Sequence, residues 1–223
     1  MKWTLKKDVF AFFILLIILL LSIIYYPLLP AQVAYHFNFN GEADNMTSKL
    51  TFTVTAVISA IGLYLLLTFI PFIDPFRRKI SEKYDLLLLF RDFCMAFIMF
   101  EYFVNIISVI KGKFQEDLFG IGFGVLFILM GNYLPRVPRN FFFGVRTPWT
   151  LASENVWVKT HRVSGWLFVI GGIIIVILSA FQISLSLSLG VVMTPLLIYC
   201  AILYPLFQYR KEMDMTGTKT PEL

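Results

Sequence analysis

Residues Val9 to Leu29 read VFAFFILLIILLLSIIYYPLL, a run of 21 residues without one charged side chain, and this run decides the fold. A helix of about 20 apolar residues, rising about 1.5 Å per residue, is long enough to cross a hydrocarbon core roughly 30 Å thick. Lys2, Lys6 and Lys7 precede the run in the manner of a signal peptide. It is too long for the apolar region of such a peptide and no A-x-A cleavage site follows, so it predicts a first membrane span.

Five further runs carry the same signature: Phe52 to Ile73, Leu86 to Ile110, Leu118 to Leu134, Gly165 to Phe181 and Leu185 to Phe207. The reading is an all-α integral membrane protein, a six-transmembrane-helix bundle with a short extended segment in its first outer loop. Composition agrees: 58% of residues are hydrophobic, 15% are charged and mean hydropathy is +0.78. A water-soluble domain of this composition would expose large apolar patches, so lipid is the expected solvent. Cys94 and Cys200 both fall inside apolar runs and read as packing residues, with no metal or cofactor implied.

Orientation follows from the basic residues, which accumulate in cytoplasmic loops. With both termini inside, 15 of the 19 Lys and Arg residues are cytoplasmic, only Lys49, Lys111 and Lys113 are outside, and Arg91 lies within a span. The same bias explains the net charge of +5 without direct nucleic-acid binding. The expected organisation is a two-span module over residues 1–75 with an extracytoplasmic loop at 30–50. A four-span domain follows over 76–210 with a cytoplasmic loop at 135–164, then a polar, frayed tail at 211–223.

In the outer loop, Val33, Tyr35, Phe37 and Phe39 alternate with Ala34, His36, Asn38 and Asn40 before an Asn40–Gly41 turn. That pattern predicts a short strand leading into a turn. His36, Asn38, Gly41 and Asp44 are the candidate ligand-binding residues on this side, and Asp44 also reads as a cap or turn residue. His36, Glu42 and Asp44 match no metal-site spacing, and the second histidine, His161, lies across the bilayer.

The inner loop reads PRVPRNFFFGVRTPWTLASENVWVKTHRVSGW from Pro135 to Trp166. Pro135, Pro138 and Gly144 keep its first half non-helical, and Thr147-Pro148 or Thr150 can open a helix. From Ser153 the pattern is helical, with Trp157, His161, Ser164 and Phe168 on one face and Glu154 expected to share it. Arg146 is placed to pair with Glu154. As plain membrane furniture, Trp149, Trp157 and Trp166 would sit at the headgroups while Arg146 and Arg162 meet phosphates.

The string Gly144-Val145-Arg146-Thr147-Pro148-Trp149-Thr150-Leu151, with Val156-Trp157, His161-Arg162 and the earlier Gly131-Asn132, resembles the signature of the SdpI family of bacterial membrane immunity proteins. Leu29-Pro30 through His36, with Gly41-Glu42, Asp44 and Lys49, resembles the uncharacterised extracytoplasmic module that often precedes that domain. The resemblance implies protection against a secreted antimicrobial peptide toxin. It also implies toxin sensing, in which the bound protein holds a small transcriptional repressor at the cytoplasmic side. The partners so implied are the lipid bilayer, the toxin and the repressor. The residues implied for the cytoplasmic surface are Asn132, Gly144, Arg146, Thr147, Pro148, Trp149, Glu154, Trp157, His161 and Arg162. Arg146 and Trp157 are the expected output positions.

Within the third span, Arg91, Cys94, Ile98, Glu101, Asn105 and Ser108 recur at steps of three and four, forming one mostly polar stripe. Charge in a span is expensive and marks function by default, so Arg91, Glu101 and Asn105 are intramembrane candidates. The bland alternative is interhelical glue. A small transporter or ion path organised around Glu101 is the second functional reading. No H-E-x-x-H, G-x-S-x-G or paired-aspartate motif is present, so no enzyme is expected. Gly120-x-x-x-Gly124, Gly171-Gly172 and Gly190 foreshadow close helix packing, and Pro195 a kink in the last span.

Overall fold

A computed structural model describes residues 3–37 and 43–216, with the side chains of residues 36, 37 and 216 left aside. Six helical segments are long and apolar enough to cross a membrane: Leu5–Leu28, Lys49–Ile73, Tyr84–Lys111, Glu116–Arg136, Glu154–Ala180 and Leu185–Met215. Within them run α1 (Val9–Tyr25), α2 (Lys49–Phe69), α4 (Tyr84–Lys111), α5 (Glu116–Tyr133), α7 (Glu154–Ala180) and α8 (Leu185–Ile198). A short α3 (Arg77–Ser81) and α6 (Pro148–Ala152) lie between spans, and α9 (Tyr204–Thr216) continues the last one. Strands β1 (Gln32–Phe37) and β2 (Ala43–Ser48) form an antiparallel hairpin between α1 and α2. Six crossings put α3, the 134–153 segment and α9 on one face, here the loop side. The hairpin occupies the other.

Each boundary has a local cause. Ser48 accepts a hydrogen bond from the Thr51 amide at 3.1 Å and so opens α2; Asp44, expected as the cap, lies inside β2 instead. Gly112 ends α4 in the left-handed conformation at φ 63°, where a side chain would be strained. The fifth span starts at Glu154, well before the expected Gly165, because Ser153 caps it by accepting from Val156. Pro195 lies inside α8, and a π-helical turn follows it at Tyr199–Leu203. The helix then continues to Thr216, past the expected fraying at 211.

Large apolar side chains face outward along every span, as lipid contact requires, while the interior joins small and aromatic residues. One cluster packs Ile14 and Ile18 of α1, Ala60 and Tyr64 of α2, and Met95, Tyr102 and Ile106 of α4. The tightest seam is between α5 and α7. A Cβ on Gly124 would lie 2.7 Å from the Gly172 carbonyl oxygen, and one on Gly131 would lie 2.6 Å from that of Gly165. Gly190, by contrast, has open space around it and mediates no close approach. Gly172→Val is therefore expected to abolish accumulation of folded protein while Gly190→Val is tolerated, as size-exclusion profiles in detergent will report. Equal profiles for the two variants would show that the seam is not the determinant of assembly.

Candidate functional site

The 134–153 segment is built on main-chain hydrogen bonds to a few buried side chains. Asn140 is fully buried and uses its whole amide: Oδ1 accepts from Phe142 at 2.9 Å and Phe143 at 2.6 Å, and Nδ2 donates to the carbonyls of Pro138 and Phe143. Asp74, 1% exposed, lies in the turn after the second span. Its Oδ1 accepts from the Phe76 amide at 2.7 Å and its Oδ2 from the Phe141 amide at 2.8 Å. One carboxylate thus ties the end of the second span to the loop between the fourth and fifth.

Further along, Gly144 adopts φ 92°, and a Cβ there would overlap the His161 ring. That contact lets His161 Nε2 accept the Val145 amide at 3.0 Å, while Nδ1 donates to the Trp157 carbonyl at 2.9 Å. The neutral imidazole, one donor and one acceptor, meets both needs. Trp157 stacks on His161 with centroids 3.9 Å apart and donates from Nε1 to the Val137 carbonyl at 2.9 Å. Thr147 and Thr150 then form a reciprocal capping box that starts α6.

Several expected roles change. Trp157 is 1% exposed and Trp166 is 69% exposed, so only Trp166 among these two can serve as a lipid-facing anchor. Glu154 shares the His161 face of α7 by its seven-residue spacing but lies exposed at the helix N-terminus, where it pairs with Lys79 and with Arg139, whose Nε lies 3.2 Å from Oε2. Arg146 therefore has no ion pair with Glu154. It is exposed and makes one bond, from Nη1 to the Phe141 carbonyl at 3.2 Å. A cavity of about 370 Å³ opens beside Arg146 and Thr147, walled by Phe90, Phe168, Leu197 and Cys200. Pro148 is exposed, Trp149 half-buried and Arg162 exposed on α7. Asn132 stands apart on α5, where its amide bonds back to the Ile128 carbonyl.

The polar stripe of α4 divides into two unlike centres. Near the loop side, Arg91 Nη1 lies 2.5 Å from Asp8 Oδ1, with both side chains wholly buried. Arg91 also donates to Thr68 Oγ1, to the Lys7 carbonyl and to Asp92. Asp8 Oδ2 accepts from Trp3 Nε1 and Tyr64 OH, so three spans meet at one saturated network. Asp8 carried no signal in the sequence beyond a charge at the start of an apolar run. Toward the hairpin side, both Glu101 carboxylate oxygens are buried without a hydrogen-bond partner among the described residues. Asn105 spends its Nδ2 on the Glu101 main-chain carbonyl.

On the hairpin, β1 pairs with β2 through Val33–Thr47 and Ala34–Met46, then slips so that His36 faces Asn45 and Tyr35 is bulged out. Val33 is fully buried whereas Tyr35 is 51% exposed, so strict alternation fails at the bulge. Asp44 is exposed on β2, while Asn38 and Gly41 lie outside the described residues.

Residues 136–207 match the model of the SdpI/YfhL protein family, and residues 13–63 match that of a domain of unknown function, DUF1648. The chain is 28% identical to Immunity protein SdpI of Bacillus subtilis (strain 168), a similarity covering 92% of this chain and 97% of that one. No solved structure matches it. Six apolar spans and this relative make the chain a multi-pass protein of the bacterial cell membrane, surrounded by the lipid bilayer. The motif from Gly144 to Arg162 falls within the matched segment, and through it the chain is recognised as carrying the SdpI/YfhL family's domain behind a DUF1648 module.

Proposed function

We propose that this protein protects its cell against a secreted antimicrobial peptide toxin, and that the same molecule senses the toxin and holds a transcriptional repressor at the membrane. The observation that carries the reading is the similarity to an immunity protein over nearly the full length of both chains. In this reading both termini and the 134–153 loop are cytoplasmic, in keeping with the basic residues gathered there. The two-span module 1–75 receives the toxin from outside, the four-span domain 76–210 responds, and the loop presents the output surface. The Asp74 contact supports coupling between the two parts, because a shift of the second span moves a hydrogen bond of the loop.

The test is protection: expression of the chain in a bacterium killed by the toxin-containing supernatant is expected to restore growth, with no substrate or proton flux in vesicles. Unchanged killing would overturn the immunity reading, and flux that depends on Glu101 would favour the transporter instead.

Arg146 tests the output surface. It is exposed and, among the described residues, makes one hydrogen bond, so Arg146→Ala is expected to leave insertion and toxin binding intact and reduce reporter induction to background. Arg146→Lys should also impair induction, because a lysine cannot reproduce the planar fork of donors. Full induction by the Lys variant would make Arg146 a phosphate anchor and remove the loop's claim to be the output site. Trp157→Ala is unsuitable for this purpose, since the ring is core.

A further inference from the structure

Beneath the hairpin, α2 and α4 leave a cleft of about 540 Å³ lined by Tyr35, Met46 and Thr47 above, Thr51 and Thr55 on α2, and Glu101 on α4. Among the described residues, no basic side chain lines it. Tyr35 and Met46 are both more than half exposed although apolar, so the mouth offers an aromatic ring and an adaptable thioether. Among the described residues the sheet has two strands, so each has an outer edge, the kind of feature on which an added polypeptide strand can pair. At the floor sits the Glu101 carboxylate, set against Gly122 of α5, where a Cβ would lie 2.9 Å from Oε1. Neither of its oxygens has a hydrogen bond among the described residues.

A carboxylate in an apolar bundle is unfavourable unless a cation or donor meets it. A cation entering from the hairpin side would meet Glu101, which lines the floor of the cleft. We propose that the cleft receives a lysine or arginine side chain of an amphipathic peptide, with Glu101 as its ion-pair partner and Tyr35 and Met46 covering its apolar flank. This rests on the immunity reading for the source of the peptide. It moves the expected receptor site from the hairpin tip to the hairpin base.

The experiment titrates the full chain in phosphatidylcholine nanodiscs with a fluorescent amphipathic helix of Leu and Lys, about 18 residues or five turns long. A twin with every Lys replaced by Gln and empty nanodiscs complete the set. Saturable binding above empty discs is expected for the Lys peptide only. It should weaken about tenfold, near 1.4 kcal/mol, in Glu101→Gln. It should vanish in Thr55→Trp, which fills the cleft, and persist in Asp117→Asn, an acidic site outside the cleft. Unchanged melting curves establish that the variants are folded. Absence of saturable binding, equal binding of the Gln twin, or equal binding by Glu101→Gln each overturns the assignment. Protection separates the two claims. Peptide binding by a chain that protects no cell sinks the immunity reading alone, whereas full protection by Glu101→Gln and Thr55→Trp sinks the cleft alone.

Discussion

Asp8→Leu is expected to destabilise the folded bundle by about 3–5 kcal/mol, the usual consequence of stranding one member of a buried ion pair. The pair concerned is Asp8–Arg91, with both side chains at 0% exposure. Removing Asp8 leaves a buried guanidinium whose remaining carboxylate partner is the more exposed Asp92, and deprives Trp3 and Tyr64 of their shared acceptor. The paired change Asp8→Leu with Arg91→Met should recover part of the loss, because the buried guanidinium is gone although Asp92, 15% exposed, then loses Arg91 as its ion-pair partner. Unfolding in mixed micelles by a denaturing detergent measures all three proteins. By contrast the exposed Lys7–Asp85 contact, with Asp85 77% exposed, should be dispensable, so Asp85→Asn is the control. A single variant as stable as the control would mean that Arg91 finds water or another partner.

Asp74→Ala is the second change with a large expected effect. It withdraws the acceptor from two main-chain amides, Phe76 and Phe141, at a site 1% exposed to solvent. Each unsatisfied buried donor costs about 1–3 kcal/mol, so a loss of roughly 2–6 kcal/mol is expected for the two. Asp74→Asn retains one acceptor oxygen and should fall between. If the loop is the output element, the Asn variant also separates binding from response: peptide binding on the hairpin side persists while reporter induction drops. Unchanged induction in a variant whose loop has become sensitive to added protease would disconnect Asp74 from the output.

Much of this was legible in the residues because the bilayer imposes a simple rule. Runs such as Val9 to Leu29 need only length and apolarity to be recognised, and the six spans follow. The Thr147–Thr150 cap and the helix from Ser153 were legible for a similar reason, since capping depends on neighbours three residues apart. What the sequence could not show is pairing at a distance. Asp8 and Arg91 are separated by 83 positions, and Asp74 and Phe141 by 67. Periodicity on α4 placed Arg91 and Glu101 on one stripe without saying that one meets a counterion and the other, among the described residues, none. About 15 Å of helix separates them, enough to put them among different neighbours. Arg146 and Glu154 failed as a pair because Lys79 of α3 and Arg139, earlier in the same loop as Arg146, reach the carboxylate. The position of Tyr35 was hidden by a bulge, which shifts the strand's facing without changing its composition.

The glycine seam between α5 and α7 also bears on the order in which the chain can assemble during its synthesis. While only α5 has left the ribosome and the insertion machinery, Gly124 and Gly131 present a grooved backbone to acyl chains, which cannot enter it as closely as another backbone does. The groove is filled only once α7 has emerged behind the 134–153 segment that joins the two helices. A nascent chain halted within that segment is thus a half-made zipper. The interval between the fourth and fifth spans is where a quality-control protease would find this protein most open.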